Sequence, residues 1–402
     1  MKQRLSKLSI GAIVLLLLSG CWDARELNEL AIAVAYGIDK REGEYLVTAQ
    51  VVNPGEIEEA GGKTTPVTVY QESADTLLEG FRRLTTIAPR KIYGSHLRIL
   101  VIGEELAKEG IGEVIDLLSR DPEIRNDFYI VVSKEAYAGD VLQVLTSLET
   151  IPANKLYASL ETSEKTWAPT MTVTLDQLSR QLMEAGMEPM LTGVEVIGDV
   201  SVGESKENVA HIEPQTQLQY HGTAVFNKDA LVGWLNDSES KGVHYAIDRV
   251  KSTVVVVPCG EEGKIGIELI DTKAELKAKA INNHPRGTID LQVEGKVSDV
   301  ECSHLDLSKK STIEDLEKKT EENIKNKIQD ALKVTQEEFQ SDLFGFGKAI
   351  HRSSPDYWKT VKKEWDQQYK DLPVKVTVDV TISRTGTIGN SPLKEIEENR
   401  QE

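Results

Sequence analysis

The sequence has little of what usually marks chemistry. It holds 3 cysteines and 7 histidines in 402 residues, and aromatics make up 5% of it. The histidines (His96, His211, His221, His244, His284, His304 and His351) are scattered, and no two stand four apart with a glutamate between them. That excludes the helical zinc-protease motif. Cys302 and His304 would bring two soft ligands near each other, and two ligands do not make a zinc site. His96 adjoins an apolar run and is expected to be a buried, hydrogen-bonded histidine. No Gly-x-Ser-x-Gly elbow occurs. Gly62-Lys63-Thr64 mimics the end of a phosphate-binding loop, yet Ile57 stands where that loop needs a glycine. Pro66 follows at once, so no helix can begin where the phosphate would sit. A basic excess is also missing: 47 Lys plus Arg face 65 Asp plus Glu, for a net charge of −18. Such a chain lacks the cations to neutralise nucleic-acid phosphates. With so many carboxylates, chance pairs do not point to a glycosidase. Runs such as Glu56-Ile57-Glu58-Glu59 read as solvated faces. Trp234, Trp358 and Trp365 are expected to pack in a core and not to form a sugar-stacking platform.

What is present begins at the N-terminus. Lys2, Arg4 and Lys7 precede an apolar run over 8–18, and Ser19-Gly20 lead to Cys21. This is the layout of a secretory signal. The run is about half the ~20 residues that a spanning helix needs. Leu18-Ser19-Gly20-Cys21 resembles the lipobox of bacterial lipoproteins, which implies cleavage after Gly20 and N-acyl and S-diacylglycerol groups on Cys21. Residues 1–20 carry three positive and no negative side chains, so the remainder is at −21. An anionic lipid surface repels such a body. Attachment must come from lipid chains, at about 0.8 kcal/mol per buried CH₂. Cys259 and Cys302 remain. A bridge between them cannot be read from sequence, a body of this size does not need one, and two separate thiols are the expected state.

The rest reads as a globular α+β chain of several domains, with mixed or antiparallel sheets packed with helices. Strands are expected over 31–39 and 44–52, forming a hairpin around Lys40-Arg41-Glu42-Gly43. A loop over 53–66 leads to a short strand at 67–70. Ser73 is placed to cap a helix with Leu77, Leu78, Phe81 and Leu84 on its inner face. Strand 97–102, a helix over 103–119 and strand 128–132 make a crossover unit. Short helices split by Pro152 and Pro169 fill 140–182, and 191–202 returns to strand. A tight hairpin is expected at 218–226 and 230–235, then strands at 252–257, 264–270, 273–281 and 288–300, the last in an antiparallel arrangement. A long helix carries Ile313, Leu316, Ile324, Ile328, Leu332 and Phe339, and a second spans about 356–369. Strict alternation over 374–382 marks the last strand. The domains are accordingly a removed signal at 1–20, and an α+β domain at 21–137 completed by strand segments near 190–202. A mainly helical connecting domain at 138–215, an α+β domain at 216–386 and a polar tail at 387–402 follow.

Several stretches together resemble one family, the Ger(x)C (GerAC-like) lipoproteins, the C subunits of spore germinant receptors. They are Gly20-Cys21-Trp22-Asp23 with 25–30 and Tyr36-Gly37-Ile38-Asp39; Ser95-His96-Leu97 with 99–103, 105–107 and 116–125; 222–226 with 231–235; and 342–347 with Trp358, Trp365 and 374–386. The resemblance implies a lipoprotein on the outer face of the cell membrane, in the dormant spore the inner membrane. It implies assembly with membrane-spanning A and B subunits into a receptor that answers nutrients, and a fold of three α+β domains. It assigns no catalytic, metal or cofactor residues, so no enzyme is expected, and only Cys21 maps to a residue of known role. Direct contact of this subunit with the nutrient is not implied. The alternative is a solute-binding lipoprotein of a transporter, against which the consecutive strands of the second half argue.

Overall fold

In the computed structural model, residues 29–53, 64–260, 263–302 and 305–384 are described. Strands β1 (Leu30–Arg41) and β2 (Glu44–Val52) pair antiparallel, with Arg41 opposite Glu44. Only Glu42 and Gly43 remain for the turn, at φ 52° and 91°. Two successive positive φ values make a turn of the type whose twist matches that of paired strands. Strand β3 (Val67–Ala74) continues the meander and is twice as long as expected, taking in Ser73. The cap of the helix Leu77–Arg83 is therefore Thr76, whose Oγ1 accepts from the Glu79 amide. Leu77 and Leu84 face inward, but Leu78 is exposed, against its expected inward position.

After the three-residue β4 (Lys91–Tyr93), strand β5 (Ile99–Gly103) lies parallel to β1. Its side chains alternate between two cores: Ile99 and Val101 meet one, Leu100 and Ile102 the other. Both faces are covered, which is why the stretch reads as an unbroken apolar run. The crossover to β6 (Tyr129–Ser133) is two helices, Glu104–Glu109 and Gly112–Arg120, where one was expected. The break is at Gly110, whose φ of 134° no helix accommodates. One face of the sheet is covered by Gly112–Arg120 and Leu175–Met183, the other by Ala138–Gln143 and Pro152–Thr166. Pro152 opens its helix at the first turn, where its missing N–H goes unneeded.

Strand β7 (Met190–Ile197) joins β6 in parallel, then β8 (Gln217–Asn227) and β9 (Ala230–Leu235) add antiparallel strands. The path runs β3-β2-β1-β5-β6-β7-β8-β9, with β4 also on β1, in one nine-stranded sheet. This pairing runs across the boundary set at 215/216, because strand partners are chosen by the sheet and not by chain order. The helix Asp237–Ala246, with seven buried residues, has no counterpart in the periodicity analysis. It is covered on most sides, so it carries no amphipathic stripe.

The second sheet is β10 (Thr253–Cys259), β11 (Gly263–Ile281), β12 (His284–Val300) and β13 (Val374–Arg384) in that order. The two runs expected at 264–270 and 273–281 are one strand, which shifts register between Leu269 and Asp271. Asn282 and Asn283, at φ 50° and 62°, turn it into β12. β12 is antiparallel to β11 as expected, but parallel to β13. The crossover between them is the helix Lys310–Val334, a π turn at Thr335–Phe339 and three short helices: Phe346–Ser353, Pro355–Val361 and Trp365–Lys370. The single helix expected over 356–369 is thus two. Leu316, Ile324, Ile328 and Leu332 press the long helix onto the sheet, while Phe339 sits in the π turn. The mixed α+β architecture with two sheets packed with helices agrees with the sequence reading.

Candidate functional site

Cys21 and its lipobox lie outside the described residues, as do Gly62, Lys63 and His304. Among the described residues no group of three or more His, Cys, Asp or Glu could hold a metal ion. Cys302 does not stand free beside a ligand: it is bridged to Cys259, with the Cα atoms 6.3 Å apart. This corrects the expectation of two thiols. The β10–β11 hairpin and the register of β11 with β12 bring together residues 43 apart in sequence, a proximity invisible in the spacing.

The histidines do not converge. His96 is exposed, contrary to expectation, because its strand starts three residues later. His244 is the buried one. Its Nδ1 lies 2.8 Å from the Ala168 carbonyl, its Nε2 has no protein partner, and burial pushes it down to about 4. It is a neutral packing residue. Its neighbour Lys241 is equally enclosed: the ammonium sits 3.3 Å from the Trp167 ring centroid and 3.1 Å from Thr253 Oγ1, and burial brings it down to about 8. These contacts fasten the Asp237–Ala246 helix to the chain just after Pro152–Thr166.

Two carboxylates that are almost wholly enclosed, Asp39 and Asp342, hold helix N-termini. Asp39 accepts from the Ala138 and Gly139 amides at 2.8 and 3.0 Å. Asp342 accepts from the amides of Gly345, Phe346 and Gly347 at 2.8, 3.1 and 2.8 Å and from the Trp365 indole at 2.9 Å. Burial pushes each up to about 6, against the pull of these donors. A raised carboxylate in a cleft can signal an acid catalyst. Asp342 has no cleft and four donors, so it is a structural clamp. Beside it the Gly186 and Gly347 backbones approach so closely that a Cβ at residue 186 would stand 2.6 Å from the Gly347 carbonyl carbon. The Glu188 amide donates to the Asp342 carbonyl at 2.9 Å, and Lys348 pairs with Glu184 at 2.7 Å. Residues 342–347 share the family likeness, and an Asp before Gly-rich turns is their only chemical signal in the sequence. Trp358 and Trp365 lie edge to face with centroids 5.4 Å apart, buried, as core packing requires. Trp234 is half-buried, its indole donating to Glu104.

Several clefts remain, three of which matter here. One of 480 Å³ is lined by Tyr36, Phe81, Lys91 and Glu123, among others, with Lys91 and Glu123 paired at 2.7 Å. One of 310 Å³ holds Asp39, Lys40, Glu104 and Tyr137. The third, of 690 Å³, lies along the helix Pro152–Thr166. None joins a nucleophile, a base and an oxyanion donor.

The chain matches known proteins across most of its length. Residues 23–196 match the spore germination protein N-terminal domain, and 221–386 match the C-terminal domain described as spore germination B3/GerAC like. The spore germination protein KC of Bacillus subtilis (strain 168) is 31% identical over 391 residues, covering 94% of this chain and 95% of that protein. Spore germination protein B3 of the same organism is 24% identical over 394 residues, covering 96% and 99%. In fold, the crystal structure of the GerBC protein aligns with a TM-score of 0.52 at 18% identity, covering 90% of this chain and all of that one. The chain belongs to the GerAC-like family of spore germination proteins.

Proposed function

We propose that this protein is the membrane-anchored C subunit of a nutrient germinant receptor. Lipid on Cys21 tethers it to the outer face of the cell membrane, in the dormant spore the inner membrane, where it assembles with membrane-spanning A and B subunits. The observation that carries the reading is the pair of family matches, one over each half of the chain. The signal layout ending at Cys21 supports the anchor. Among the described residues no helix is long and apolar enough to cross a membrane, so a tether is the simplest attachment for a body at −21. A non-catalytic role agrees with the closed, fully bonded state of the buried carboxylates. The experiment is Cys21→Ala at the natural locus, with spore fractionation and a germination assay. The expected result is protein lost from the membrane fraction and a slowed nutrient response. Full membrane retention with normal germination would sink the anchor reading.

A further inference from the structure

The 690 Å³ cleft along the helix Pro152–Thr166 carries a half-buried lysine. Its volume is that of a small-molecule site, and its lining mixes apolar side chains with hydroxyls and with Glu149. Leu145 and Leu218 form buried walls, while Leu148 and Trp167 stand 98% and 49% exposed at the cleft. Lys155 lines it too, and its ammonium donates to the Leu218 carbonyl at 2.5 Å, with the Tyr220 ring 5.9 Å away. Two of its three protons have no protein acceptor among the described residues. Burial alone draws this lysine down to about 8, with no carboxylate acting on it. That is unusual in a chain with 65 acidic residues, where most cationic side chains of the first half find a carboxylate. A half-enclosed cation without a counter-ion costs stability unless an anion completes it.

We propose that this cleft binds a small apolar carboxylate, with the carboxylate on the Lys155 ammonium and the hydrocarbon against Leu148, Leu145 and Leu218. The site does not depend on the receptor assignment, because its test is a binding measurement on the isolated protein.

The test is isothermal titration calorimetry of the full chain in nonionic detergent with 3-phenylpropanoate and its neutral counterpart 3-phenylpropanamide. The expected result is one saturable site that prefers the acid about tenfold, as a charge-assisted hydrogen bond should. Lys155→Met should remove that preference while leaving the amide's binding. Leu148→Ser, at a fully exposed position that cannot disturb the core, should weaken both probes, and it decides the matter if Lys155→Met fails to fold. Equal affinity for acid and amide, or undiminished binding in Leu148→Ser, would overturn the proposal. So would the absence of saturable binding, the result expected if the cleft instead seats a segment of a protein partner.

Discussion

Single residues set how this protein responds to pH. His244 is held neutral by burial, at about 4, while the unfolded chain protonates it near the ordinary histidine value. The unfolded state thus binds more protons below roughly pH 6.5, and stability falls as pH drops toward 4. The loss from this residue is about 2 kcal/mol at about pH 5. Asp39 and Asp342 act the other way: raised to about 6, they favour the folded state as pH falls from 6 toward the ordinary carboxylate range. The residue's own share is therefore the difference between parent and His244→Gln in urea unfolding at about pH 7 and about pH 5. The variant should lose about 2 kcal/mol less on acidification; an unchanged difference would show that His244 is not held neutral. Asp342→Ala strands three amides and the Trp365 indole, and should cost about 3 kcal/mol or more in the same assay.

At the scale of elements, the turn and the edge are exposed to test. Gly43 has open space around its absent Cβ, so Gly43→Ala meets no clash and bears only the cost of a positive φ. The expected loss is about 1 kcal/mol, with Gly43→Asn close to neutral. Strand β13 is the outer strand of its sheet. Its Val380 and Ile382 amides donate to Glu321 and Glu317 of the long helix at 3.2 and 2.8 Å. Carboxylates thus cover an edge that would otherwise template another strand. Glu317→Ala with Glu321→Ala should cost about 1–2 kcal/mol and produce concentration-dependent association in sedimentation velocity; a monomer at all concentrations would show that the edge is protected by other means. The hairpin of 31–39 with 44–52, the last strand and the buried positions of the long helix were legible from apolar runs around a polar turn, alternation and three- and four-residue steps. The helix Asp237–Ala246 was not, because a helix buried on most sides has no polar face to betray it.

For the whole molecule, the bridge between Cys259 and Cys302 closes a 43-residue span and so restricts the unfolded chain. Serine at both positions should lower stability by about 2–4 kcal/mol, read as a drop in urea midpoint. One continuous cluster of buried apolar residues runs from the first sheet into the second. Calorimetry should accordingly show a single cooperative transition, and two separated transitions would mean that the sheets unfold apart.

The sequence by itself determined the class of the chain, α+β with many strands. It also determined most strand positions, because burial on one or two faces leaves a local period, and it holds the signal layout on which the proposed tether at Cys21 rests. Only the tertiary structure decided that β8 and β9 complete the first sheet and that β13 runs parallel to β12. The same holds for the bridge between Cys259 and Cys302, the clamp at Asp342 and the uncompensated charge of Lys155. Each of these is a meeting of residues distant in the chain. Pairing, burial and desolvation belong to the neighbours a residue acquires, and those neighbours exist only once the sheets have closed.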